Sequence, residues 1–188
     1  MIEIHEQFYG GQAGAYMNVG INRGLLYPEV STCLTLTLVW TGANDVMAGA
    51  HFGINGNNAG HNPNQPSTGQ NIAFSVRQLQ NRAAMAMGRP INQLDPPRFI
   101  LIIGQTLVWG RSNEDAFEAF NALVRTLVRR GGDPFQHVYD TSEMGAQHDI
   151  YVNRPSGFSI RRGTVYISGR NPPGDKSARY TQRFRKAV

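Results

Sequence analysis

The chain has 188 residues, 40% of them apolar, a single cysteine and a formal net charge of +5. That length and apolar content exclude a disordered chain and fit one domain with a sizeable core. A lone thiol excludes an internal disulfide and any zinc site built from several thiolates, and it suits a reducing compartment.

The opening Met1-Ile2-Glu3-Ile4-His5-Glu6 is acidic and has no basic segment followed by an apolar run. It does not read as a cleavable signal peptide. We therefore expect a cytoplasmic protein, or one secreted into a target cell without such a signal. Residues 1–15 carry Gly10-Gly11 and Gly14 and read as irregular. Tyr16 to Ile21 reads as a short strand, and Asn22-Arg23-Gly24 as a turn. Cys33 to Trp40 is the clearest strand, because Leu alternates with Thr. Leu34, Leu36, Leu38 and Trp40 share one face; Cys33, Thr35, Thr37 and Val39 share the other. Thr41 to Asp45 has turn composition, and Val46 to Ile54 reads as the next strand.

Residues 55–70 have almost no apolar side chains and read as a long exposed loop, with His61 within it. A solvated loop histidine is the plain reading of His61. Asn71 to Met87 is expected to be a helix, with Ile72, Val76, Leu79, Ala83 and Met87 on one stripe. Pro90, Pro96 and Pro97 end that region. Phe99 to Ile103 is wholly apolar, which marks a central strand. Ser112 is a good N-cap for a helix from Asn113 to Arg130, with acids in its first turn, arginines in its last and Gly131-Gly132 to stop it. Strand candidates follow at Gln136–Tyr139, His148–Asn153, Gly157–Arg161 and Thr164–Ser168. This order of elements predicts an α+β fold, a single-domain mixed α/β sandwich over residues 1–170. Residues 171–188 form a basic C-terminal tail. No stretch is long and apolar enough to span a bilayer.

The charge is unevenly placed. From Arg154 onward there are nine Lys/Arg and one acid, Asp175. Such a region fits nucleic acid, an acidic membrane surface or an acidic protein, or simply a solvated tail. No RNA-binding or helix-turn-helix motif accompanies it, so we do not expect a nucleic-acid partner.

An isolated cysteine is usually a small buried hydrophobe. Cys33, however, opens a strand beside Ser31-Thr32, where a strand edge is expected to expose the sulfur. His51 is its natural partner. If the two strands pair antiparallel through a Thr41-Gly42-Ala43 connection, Cys33 faces His51 directly. If the paired numbers sum to two more, the two become diagonal neighbours on one face. An imidazole there takes the thiol proton, and the thiolate attacks an amide carbon. Gly49, Ala50 and Gly53 are expected to leave room beside the ring. A backbone carbonyl or a hydroxyl would serve to orient the imidazole, and nothing in the sequence identifies which. Ser31 and Thr32 are candidates for lining an oxyanion site with the Cys33 backbone N–H, though plain loop chemistry is the better reading of both hydroxyls.

With those residues in view, the chain resembles the CheD-like protein glutamine deamidases, which include chemoreceptor deamidases and deamidating bacterial toxins. Met17-Asn18-Val19-Gly20-Ile21 resembles the family's opening strand. Val30-Ser31-Thr32-Cys33 stands where the family has Gly-Ser-Cys or Leu-Ser-Gly-Cys. Ala48-Gly49-Ala50-His51-Phe52 resembles its His strand, and the likeness runs from about Tyr16 to Ser168. The chain departs from it at Thr32, where the family has Gly. It also departs at Tyr27, where chemoreceptor deamidases carry a Thr that orients the His. The resemblance implies a CheD-like fold and hydrolysis of a glutamine side-chain amide through a thioester. It implies a Cys33–His51 dyad, no cofactor or metal, and a protein substrate presenting an exposed glutamine. A transglutaminase-like or thioester-cleaving enzyme on the same dyad stays open, as does a non-enzymatic binding module using the basic C-terminal region. Neither the substrate nor the oligomeric state is legible.

Overall fold

In the computed structural model, residues 1–5, 16–53, 68–112, 114–128, 138–141, 148–152 and 165–169 are described. The strands are β1 (Ile2–Glu3), β2 (Met17–Ile21), β3 (Leu25–Val30), β4 (Leu34–Trp40) and β5 (Val46–Phe52). Helix α1 (Gly69–Ala86) is followed by a short 3-10 turn at Ile91–Gln93 and by β6 (Phe99–Gly104). Then come α2 (Thr106–Ser112), α3 (Glu114–Leu127), β7 (Val138–Asp140), β8 (His148–Val152) and β9 (Val165–Gly169). The expected strand at Gly157–Arg161, the loop tip with His61 and the basic tail lie outside the described residues.

The strands form two sheets. The central one has the order β2-β5-β4-β6-β7, and the second has the order β1-β3-β8-β9. The expected mixed α/β architecture is therefore observed, with β6–β7 and β1–β3 parallel and the other pairs antiparallel.

The alternation along β4 explains the layering. Leu34, Leu36, Leu38 and Trp40 bury against Ile72, Val76, Leu79 and Ala83 of α1, Trp109 of α2, and Phe120 and Val124 of α3. Val39 of β4, with Cys33 just before it, points the other way, toward Leu25, Tyr27 and Val30 of β3 and Ile150 and Val152 of β8. Alternating Leu and Thr usually marks a strand with one face in water. Here both faces are covered, and the threonines are satisfied inside. Thr35 donates its hydroxyl to the Ile103 carbonyl at 2.8 Å, and Thr37 pairs with the Tyr27 hydroxyl at 2.6 Å.

Two local features set the second sheet. The pairing of β3 with β8 shifts register between Tyr27 and Val30. Glu29 takes a φ of 57° there, and its N–H donates to the Asp149 carboxylate at 3.0 Å. This bulge aims Leu25, Tyr27 and Val30 at the same core despite their uneven spacing. Gly49 is the second feature. A Cβ at that position would collide with the Tyr27 hydroxyl and the Ile4 side chain, so glycine alone lets the two sheets close here.

The α1 stripe matches the sequence, with Thr68 as the N-cap accepting from the Asn71 N–H. The expected helix from Asn113 is observed as Glu114–Leu127 and is preceded by α2, so Ser112, read as an N-cap, is the last residue of α2.

Candidate active site

Strand register brings Cys33 and His51 onto one face, in the looser of the two expected arrangements. Thr35 pairs with His51 and Leu34 with Phe52. Cys33, one residue before β4, is thus the diagonal neighbour of His51, about 7 Å away at the Cβ positions. The turn decides this. It runs from Thr41 to Asp45, and Trp40 pairs with Val46. Asn22 pins it by accepting from the Asp45 N–H at 3.0 Å and donating its own N–H to the Asp45 carbonyl at 2.8 Å.

The expected exposure of the sulfur is corrected. Cys33 is 0% exposed and belongs to the core between the sheets. The cause is that β4 is an interior strand, with β3 and β8 layered over this face. The expected room beside His51 is also taken. The space above Gly49 holds Tyr27, Ile4 and Leu25, and Ala50 points to the helix side. Thr32 is exposed and Ser31 partly so. The Thr32 backbone carbonyl accepts from the Trp109 indole N–H at 2.7 Å, which anchors the segment leading into Cys33.

His51 is fully buried. Its Nδ1 lies 3.2 Å from the Ile4 carbonyl oxygen. A carbonyl only accepts, so Nδ1 carries the proton in the neutral ring and Nε2 keeps its lone pair. Among the described residues Nε2 has no hydrogen-bond partner. Burial lowers the imidazole pKa to about 4, the Ile4 carbonyl opposes this, and nearby His5 adds to it. The ring is neutral at pH 7 as a result.

Tyr27 does not orient the His51 ring through its hydroxyl. Its hydroxyl is committed to Thr37 and to the Leu36 carbonyl at 3.1 Å. Its ring meets His51 edge-on, with centroids 6.1 Å apart. The group that orients His51 is the carbonyl of Ile4. The sequence allows a backbone carbonyl in this role but cannot say whose, because every residue has one and it carries no signature. Ile4, just after β1, is held against β3: its N–H donates to the Leu26 carbonyl at 2.8 Å, and its side chain is buried.

Gly104 supports the other side of Cys33. It adopts a φ of 155°, and a Cβ there would strike the Cys33 carbonyl oxygen. Among the described residues, no cluster of three or more His, Cys, Asp or Glu could hold a metal. No described helix is long and apolar enough to cross a membrane. Neither protein-family models nor curated proteins give a match to this chain.

Proposed function

We propose that the chain is a cysteine-dependent hydrolase of glutamine side-chain amides, acting in the manner of the CheD-like deamidases. One observation carries the reading. On the face shared with Cys33, a neutral imidazole is fixed with its proton on Nδ1 and a lone pair on Nε2 that has no partner among the described residues. That is the state a general base needs.

The chemistry follows in two halves. Nε2 takes the Cys33 thiol proton as the sulfur bonds to the amide carbon, and the Cys33 backbone N–H is the proposed donor to the developing oxyanion. Nε2 returns the proton to the leaving nitrogen, ammonia departs, and a thioester remains. Water then attacks the thioester carbon while Nε2 takes its proton. The proton returns to sulfur, and glutamate is released. Burial disfavours a standing thiolate–imidazolium pair, so the proton moves with the attack rather than before it. The partner is a protein with an exposed glutamine: a chemoreceptor, or a host or competitor protein if the chain acts as a secreted effector. The reaction requires the layer over Cys33 to move aside.

The same burial favours a second reading, in which Cys33 and His51 are core residues of a binding module. The two are separated by incubating the protein with a glutamine-containing substrate and measuring ammonia. Cys33→Ser and His51→Gln should each lower the rate at least about a thousandfold. Ammonia release that survives Cys33→Ser sinks the proposal. So does a Cys33 that resists iodoacetamide until global unfolding.

A further inference from the structure

Among the described residues, two buried side-chain polar atoms lack a hydrogen-bond partner: Nε2 of His51 and Oγ1 of Thr141. Buried polar groups are normally satisfied, so each such atom needs a reason. Both lie at the same end of the central sheet, on opposite sides of Cys33.

Register places them there. Leu34 pairs with Gly104, and Gly104 pairs with Asp140. One step further along this row lie Cys33, Gln105 and Thr141. The backbone holds that step: the Gln105 N–H donates to the Cys33 carbonyl at 3.2 Å, and the Thr141 N–H donates to the Gly104 carbonyl at 2.9 Å. Side chains alternate along a strand. Val138 faces the helices, and Asp140 faces α2, accepting from the Thr106 hydroxyl at 2.8 Å. Thr141 therefore faces the same way as Cys33, Leu101 and Ile103, and it is 1% exposed.

We infer that Thr141 is a substrate-contact residue of this site, its hydroxyl pairing with a peptide group of the residue whose side-chain amide is attacked at Cys33. The inference rests on the deamidase reading. Thr141 stands two strand spacings from Cys33, about 10 Å. A glutamine whose amide carbon sits on the sulfur carries its own peptide groups at the far end of its methylenes. Laid across the sheet ends toward β7, they come within reach of Oγ1. His51 then serves the reacting end and Thr141 the anchored end, and substrate satisfies both orphaned atoms.

Thr141→Val removes the hydroxyl and keeps the shape, whereas Thr141→Ser keeps the hydroxyl. A blocked glutaminyl-glycine dipeptide serves as the probe, with ammonia release, melting temperature and dipeptide-induced melting shift as readouts. Thr141→Val should raise KM roughly three- to tenfold with kcat little changed. Thr141→Ser should restore KM. The unliganded Thr141→Val protein should melt at or above the wild-type temperature, because no hydrogen bond is lost. A lowered melting temperature would show a structural partner for the hydroxyl and overturn the inference, as would an unchanged KM. The Cys33→Ala protein separates the two claims. If the wild type releases no ammonia, the deamidase reading fails. The contact still stands if the dipeptide shifts the melting of Cys33→Ala and that shift disappears on adding Thr141→Val. No shift in Cys33→Ala overturns it.

Discussion

The Nδ1 atom of His51 sits 3.2 Å from the Ile4 carbonyl oxygen, so the residue just after the two-residue strand β1 dictates which ring nitrogen carries the proton. Imidazole nitrogen shifts in the NMR spectrum should report the Nδ1–H form as the dominant neutral species at pH 7. A dominant Nε2–H form would contradict this arrangement and remove the proposed base.

The depressed pKa of His51 has a signed consequence for stability. The folded ring titrates at about 4 against 6.5 for the free group, mainly because of burial. Between those values the unfolded chain binds more protons than the folded one. Stability from this residue is complete above pH 6.5 and falls as pH drops toward 4, by on the order of 3 kcal/mol in total. Urea unfolding of the wild type and His51→Gln at pH 7 and pH 4.5 checks it. The wild type should lose more stability across that interval; equal losses would falsify the assignment.

Gly49→Ala should destabilise the protein by about 1–3 kcal/mol, because the added methyl meets the Tyr27 hydroxyl and the Ile4 side chain. Tyr27→Phe should cost about 1–3 kcal/mol, since Thr37 and the Leu36 carbonyl lose a buried partner. The double variant should cost less than the sum, because removing the hydroxyl clears part of the collision. Additive losses in denaturant unfolding would show that the two residues do not touch.

Gly104→Ala combines a left-handed backbone with a clash against the Cys33 carbonyl oxygen. It should lower stability by about 2–4 kcal/mol and displace the backbone that carries Cys33. Thermal melting measures the first effect. The amide shift of Cys33 in an NMR spectrum measures the second, and an unmoved resonance would argue against this close approach.

Much of the central sheet was legible. The Leu–Thr alternation of β4 and the apolar run of β6 assigned strands and faces, and the same pattern put Cys33 and His51 on one face. What the alternation could not convey was the second sheet. Tyr27 and its neighbours in β3 were missed because Pro28 interrupts the run and the bulge at Glu29 breaks its period. The sequence marks β8 as a strand but not as a layer over Cys33; without that layer and β3, Cys33 reads as a strand-edge thiol, and with them it is enclosed. Thr141 was invisible for a related reason. Its place depends on a parallel pairing between β6 and a three-residue strand, which no local pattern encodes.

The enclosure of Cys33 also governs its redox behaviour. An interchain disulfide needs two sulfurs about 2 Å apart with a defined torsion. Two folded copies of this chain present no thiol to each other, since the one cysteine each holds lies between its own sheets. Covalent dimers should therefore form only as fast as the fold opens. The same shield delays attack by peroxide, so packing alone slows oxidation of the thiol.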